Sequence, residues 1–486
     1  MMLIIPLYIG TVSDQLMITC HWRGDDFFEI YPGITLPSRG HLIIRVHLGR
    51  IAYDGYTIRI IDPFEIPLVE KVIPNLLEGE HWDIAFPLTH YLIRGEYSIQ
   101  VWDDAQLKFD LNFILESRRS PKQVFMVQTK ILATNLNRRV HSFSLPLRLI
   151  PEYLFLQAIG KLHVVGGDFH DNSIKVDNLR DRTQKTISWK QLIQPAYLPL
   201  DVNQTEDFPD EYYVFNNISY TDEPGLEVEH PVLEEYNGYA DSHYPIKVIR
   251  DVLNFVHRRI RYVKQDKERG VDYALSYGRG DCTEFSAVFV TLLRKLGIRA
   301  RLVSGMGRSL HNYWIPHAFA EVFIYGIWLP IDTVKPPKPY LQIGNRGELI
   351  GLFRSNWLDP KFKELIFNFM AEKGTKPKIE VNQKVTESGK ASLPVSIRKK
   401  KPRRGLDFIL DHHIKFDRKR GIIQLNKDHN FQSVVIIKGN LSFGKIVYVQ
   451  YVTREVESLN LPDGLDLDSQ FILLIDKNGK PLEVNT

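Results

Sequence analysis

Apolar and polar positions alternate with a period of two early in the chain, at Leu42, Ile44, Val46 and Leu48 and again at Leu107, Phe109, Leu111, Phe113 and Leu115. Successive side chains of a strand point to opposite faces, so this pattern predicts strands that bury one face. Residues 1–119 are read as a β-sandwich, with the apolar run Met1 to Leu7 as its first strand. Residues 120–230 keep the same character, Phe143, Leu145, Leu147 and Leu149 alternating against Ser144, Pro146 and Arg148, and predict a second β-sandwich.

The period changes near Pro245. Ile249, Val252, Val256, Ile260 and Val263 recur at steps of three and four, which predicts an amphipathic helix with proline near its start. A mixed α and β domain is expected over 231–374, closing with a helix that starts at Asp359-Pro360 and stops at Gly374. Residues 375–405 are rich in Lys, Glu, Ser, Pro and Gly and read as a charged linker. Strand-like runs at 433–438, 446–452 and 471–475, the last before an Asn478-Gly479 turn, predict a small β module over 406–486.

Composition narrows the class. Of 486 residues 44% are hydrophobic and 25% charged, with a formal charge of +4, as in ordinary soluble multidomain proteins, and no global polyanion partner is implied. The basic excess is concentrated in Arg398-Lys399-Lys400-Lys401-Pro402-Arg403-Arg404. Without interleaved aromatics this run reads as solvated, with at most a weak anionic contact and no specific nucleic acid. Two cysteines, Cys20 and Cys282, exclude a disulfide framework. No leader and no stretch long enough to span a membrane are recognised, so a cytoplasmic location is expected. No phosphate loop or zinc cluster is found, and Asp463 to Asp468 has the wrong spacing for a calcium loop, so no cofactor or metal is expected.

The chemistry concentrates around Cys282. Asp281 fits a helix N-cap with Glu284 as reciprocal partner, Phe285 to Leu296 supply a buried helical pattern, and Gly297 supplies the stop. A cysteine in a first helical turn meets unpaired N–H groups and the positive end of the helix dipole, which favour thiolate. By position alone a buried structural cysteine is the commoner outcome. His317 follows 35 residues downstream, at the head of an alternating strand His317-Ala318-Phe319-Ala320-Glu321-Val322-Phe323-Ile324. Tyr325-Gly326 supplies a turn, and Ile327 to Asp332 return as a second strand. A two-residue turn sets Asp332 opposite Phe319 and diagonal to His317, within reach of the imidazole.

Gly280-Asp281-Cys282, Gly297-Ile298-Arg299-Ala300-Arg301, His317-Ala318-Phe319-Ala320-Glu321 and Trp328 to Asp332 together resemble the core motifs of the transglutaminase-like superfamily. The resemblance covers about residues 205–335 and departs from the pattern at Phe319, where tryptophan is common, and at Thr333-Val334, where proline or alanine is frequent. It implies an α+β papain-like core flanked by β modules, the first immunoglobulin-like, and a Cys282-His317-Asp332 triad. Tyr262 is a candidate second oxyanion donor, against the plainer reading of a tyrosine at a helix edge. Trp314 is a candidate wall of the acyl pocket, against simple loop packing.

These residues imply an acyl-thioester on Cys282, formed from a protein or peptide amide and resolved by an amine or water. A cysteine protease and a non-catalytic scaffold of β modules stay open beside it.

Overall fold

In the computed structural model the described residues are most of 10–202, then 230–232, 245–355 with short gaps, 370–371, 378–389, 393, 398–399 and most of 414–484. The expected first strand at Met1 to Leu7, the closing helix from Asp359 and most of the basic run from Arg398 lie outside them. The molecule is rich in strands, and three helices are fully described. Its residues divide into two compact units, the first formed by Met1–Pro121, Arg308–Tyr313 and Lys338–Leu341.

In the first unit two five-stranded sheets enclose one core. Leu42, Ile44 and Val46 of the strand His41–Leu48 are buried, as are Phe109, Leu111, Phe113 and Leu115 of Gln106–Glu116. A buried aliphatic side chain contributes about 2 kcal/mol, so a one-residue slip of either strand would expose several such contributions at once. Leu107 breaks the expected alternation and is 40% exposed, because the register shifts between Leu107 and Phe109. Cys20 lies in this core, and burial pushes its thiol pKa up.

The second unit carries a second pair of sheets. Val124–Thr134 is central in one of them, paired with Gln184–Pro195 on one side and Lys378–Gly389 on the other, and Ile174 and Val176 of the other sheet share its core. Lys378–Gly389 falls within the expected linker and is instead a twelve-residue strand. Met370–Ala371 likewise pairs with His141–Pro146. This module is therefore built from two stretches of chain, with the mixed domain inserted between them, and it does not end at residue 230. Met306, Ile350 and Leu352 of the inserted domain enter the same core as Phe125 and Val127.

The inserted domain contains helices α1 (Pro245–Arg259), α2 (Gly270–Tyr277) and α3 (Cys282–Lys295). Its sheet is formed by β1 (Ala300–Arg308), β2 (Trp314–Ile324), β3 (Ile327–Ile331) and β4 (Leu349–Ser355) in the order β3-β2-β1-β4. Helix α1 stops before Ile260 and Val263, which the periodicity had included. There the chain turns extended, and Arg261–Tyr262 pairs in parallel with Arg279–Gly280. C-terminal strands Phe431–Gly439, Gly444–Tyr451, Gln470–Asp476 and Pro481–Glu483 form a further sheet over its own core, joined by Arg398–Lys399 from the basic run.

Candidate active site

Helix α3 begins as its sequence dictates. The Thr283 N–H donates to Asp281 Oδ1 at 3.0 Å, and the Asp281 N–H donates to Glu284 Oε2 at 3.0 Å. Glu284 does more than cap. Fully buried, it also accepts from the Arg269 N–H at 2.8 Å through Oε1, so one carboxylate serves the N-terminal ends of both α2 and α3. Burial raises its pKa, and the backbone donors act in the opposite direction. Gly280 is required beside it, because a Cβ there would lie 2.4 Å from Glu284 Cβ. Cys282 occupies the first helical position and is partly exposed, unlike Cys20.

The hairpin also follows its local sequence. Tyr325 and Gly326 both have positive φ, at 51° and 82°, which suits a tight two-residue turn. Ala320 then pairs with Ile331 and Glu321 with Pro330. Asp332 is the first residue past β3, and continuing this register sets it opposite Phe319. His317 Nε2 lies 2.9 Å from Asp332 Oδ1, and the Cys282 side chain is another hydrogen-bond partner of the imidazole. Because an ionised carboxylate only accepts, Nε2 is the donor to Asp332, and Nδ1 is the nitrogen left to partner the sulfur.

Burial disfavours a charged imidazole here, but the Asp332 charge and hydrogen bond, with the Cys282 side chain, outweigh it and raise the His317 pKa to about 10. Burial likewise opposes ionisation of Asp332, yet His317 and Lys335 draw its pKa down to about 2. The pair is held as imidazolium and carboxylate. Gly307 gives the ring its space, since a Cβ there would lie 2.8 Å from imidazole carbons.

A buried polar contact that sequence patterning does not reveal lies behind these three residues. Ser286 Oγ, one helical turn after Cys282, is 2.7 Å from Thr333 Oγ1 and donates to the Ala318 carbonyl at 3.3 Å. Ala318 and Thr333 each follow a residue of the His317–Asp332 pair. The Thr333 carbonyl accepts from His257 Nε2 of α1 at 3.0 Å. A serine inside an apolar helix and a histidine on an amphipathic one carry no periodic signal, so neither was predicted. Thr333 was visible only as a departure from the family pattern.

Tyr262 belongs to the short ribbon beyond α1. It is 51% exposed, its ring centroid is 6.0 Å from that of Phe285, and its hydroxyl pKa is raised by burial and then by the charges of Cys282, Asp281 and Asp332. It therefore borders the site. Trp314 instead packs edge-on against Phe125, with centroids 5.0 Å apart, in the core shared with the second sandwich. Three residues from His317 along a strand, it is directed to the other face by alternation. Glu321 is a structural member of its motif, since it is fully buried and paired with Arg301 at 2.6 Å and Arg354 at 2.8 Å. Burial resists its ionisation, but the two guanidinium groups prevail and lower its pKa.

A cysteine at a helix N-terminus, with a histidine on a strand and an aspartate just past the next, is an arrangement of thiol enzymes in general. Residues 235–333 match the family model described as the transglutaminase-like superfamily, and this part of the chain is a transglutaminase-like domain.

Among solved structures, "a Putative Cysteine Protease from Cytophaga hutchinsonii" is similar at 12% identity, over 56% of this chain and 96% of that one, with a TM-score of 0.39. A mutant of Salmonella alpha-2-macroglobulin is similar at 10% identity, over 96% of this chain and 28% of that one, with a TM-score of 0.17. No curated protein matches the sequence. Among the described residues no helix is long and apolar enough to cross a membrane.

Proposed function

We propose that the protein is a thiol acyl-transfer enzyme in which Cys282 is the nucleophile, His317 the acid and base, and Asp332 the residue that orients and charges the imidazole. The observation that carries this reading is the 2.9 Å contact between His317 Nε2 and Asp332 Oδ1, with the Cys282 side chain as a further partner of the imidazole. The sulfur attacks a carboxamide or peptide carbonyl, and the negative charge passes to the carbonyl oxygen. The Cys282 backbone N–H is one donor for that oxygen, and the Tyr262 hydroxyl is a candidate for the other. His317 then protonates the departing nitrogen, the C–N bond breaks, and a thioester remains on Cys282. An amine or a water gives a proton to His317 as it attacks the thioester, releasing product and returning Cys282 and His317 to their starting state.

The substrate class is a protein or peptide amide, and the chemistry uses no cofactor. The test is incubation of the full chain with a glutamine peptide, with and without a primary amine, followed by mass spectrometry. An amine adduct, or conversion of glutamine to glutamate, is the expected result, and both should vanish in Cys282→Ala. Backbone cleavage would assign the same thioester chemistry to a protease. Absence of all three products would return the β modules to the role of a binding scaffold.

A further inference from the structure

The two-residue ribbon beside Cys282 carries an arrangement that folding does not explain. Arg261 and Arg279 are directly paired across parallel strands, and both are exposed. Like charges set side by side on a sheet destabilise it, so a structural role would favour almost any other pair. No carboxylate neutralises them among the described residues. The Arg279 Nε donates to the Tyr273 hydroxyl at 2.7 Å, and its guanidinium lies over the rings of Tyr273 and Tyr277, 5.6 and 5.9 Å from their centroids. One edge of the guanidinium is thereby fixed, and its terminal N–H groups keep the fork geometry that suits a carboxylate. Lys264, three residues after Arg261, is exposed as well and adds to the positive field.

Arg279 stands three residues before Cys282, and Tyr262, whose ring lies 6.0 Å from that of Phe285 in the first turns of the cysteine helix, directly follows Arg261. A peptide whose amide reached Cys282 would carry its neighbouring residues past this ribbon. We infer that Arg261 and Arg279 form a docking site for carboxylate side chains flanking the reacting amide, so that the acyl donor is an acidic peptide segment. This rests on the acyl-transfer reading above and specifies its substrate.

The full-length protein is assayed with matched glutamine peptides whose flanking residues are Glu, Gln or Lys, at low and high salt. The acidic peptide should show a KM lower by about fivefold for each arginine engaged, the upper end for an exposed charge contact, and the advantage should shrink with salt. Arg261→Ala and Arg279→Gln should each remove their share while kcat and turnover of the neutral peptide stay unchanged. Arg279→Lys, which keeps the charge and loses the fork, should restore it only in part. Equal KM for acidic and neutral peptides, or an advantage that survives in the double variant, overturns the inference. So does a double variant that loses binding to a single-stranded oligonucleotide while its peptide KM values are unmoved.

A second readout separates this proposal from the acyl-transfer reading if no peptide is turned over. Alkylation of Cys282 by anionic iodoacetate is compared with that by neutral iodoacetamide. The iodoacetate-to-iodoacetamide rate ratio should fall about fivefold or more in the double variant, and an unchanged ratio overturns the docking site whatever the fate of the thioester.

Discussion

Ser286 and Thr333 meet through their hydroxyl groups at 2.7 Å in a fully buried position. The contact joins the helix that presents Cys282 to the turn that presents Asp332. Ser286 also reaches the carbonyl of Ala318, next to His317. Two short side chains thus connect the neighbourhoods of all three proposed catalytic residues.

Removing one hydroxyl should loosen that connection. Thr333→Val removes one of the two hydrogen-bond partners of Ser286 Oγ and should cost about 1–2 kcal/mol in a urea titration. Turnover should fall further than stability accounts for, because the Asp332 turn loses its tie to the cysteine helix. Thr333→Ser should restore both. Loss of stability with kcat intact would make the contact purely structural.

Asp332→Asn should keep the fold and lower turnover by on the order of 10³ to 10⁴-fold, since an amide can bind the wrong tautomer and cannot stabilise imidazolium. Circular dichroism and a rate measurement on the same preparation check this. Near wild-type turnover would remove Asp332 from the mechanism.

The two cysteines should respond differently to alkylation. Cys20 is 2% exposed and its thiol is held protonated by burial, while Cys282 is partly exposed beside an imidazolium. Limiting iodoacetamide should label Cys282 selectively, as peptide mapping would reveal, and the selectivity should weaken in His317→Ala. Preferential labelling of Cys20 would contradict both environments.

The charged pair predicts a pH signature in stability. The His317 pKa rises from 6.5 to about 10 in the folded state, so its stabilisation is complete below pH 6.5 and is lost as pH climbs through 10. The Asp332 pKa falls from 3.8 to about 2, so its stabilisation is present above pH 3.8 and is lost as pH drops through 2. Denaturant midpoints should show the wild-type advantage over His317→Gln shrinking between pH 6.5 and 10. An advantage that grew with pH would mean that the imidazole is held neutral.

Within 375–405, tryptic cleavage should avoid Lys384. That residue pairs with Gln128 inside a sheet, and cutting requires the strand to leave it. Rapid native cleavage at Lys384 would show that the strand detaches easily.

Much of the candidate site could be read along the chain because it is specified by neighbours in sequence. The Asp281 and Glu284 spacing defines the helix start, since each side chain reaches a backbone N–H within three residues. The Tyr325-Gly326 turn sets the hairpin register, and that register carries Asp332 to the histidine. Alternation at Leu42 to Val46 and at Phe109 to Leu115 located strands for the same reason, as each residue reports its own face. The strand Lys378–Gly389 escaped because its partner Val124–Thr134 lies some 250 residues earlier, and its many exposed charges conceal the alternation. Ile260 and Val263 continued the helical period by coincidence, while pairing of Arg261–Tyr262 with Arg279–Gly280 drew the chain out of the helix. Ser286, Thr333 and His257 meet only once α1, α3 and the hairpin have packed. By itself the sequence determined the local geometry of the cysteine helix and the histidine hairpin, because caps, turns and periodicity act over a few residues. The tertiary structure alone decided which distant segments share a sheet and which polar groups are buried together, because those contacts form only between elements that carry no mark of one another.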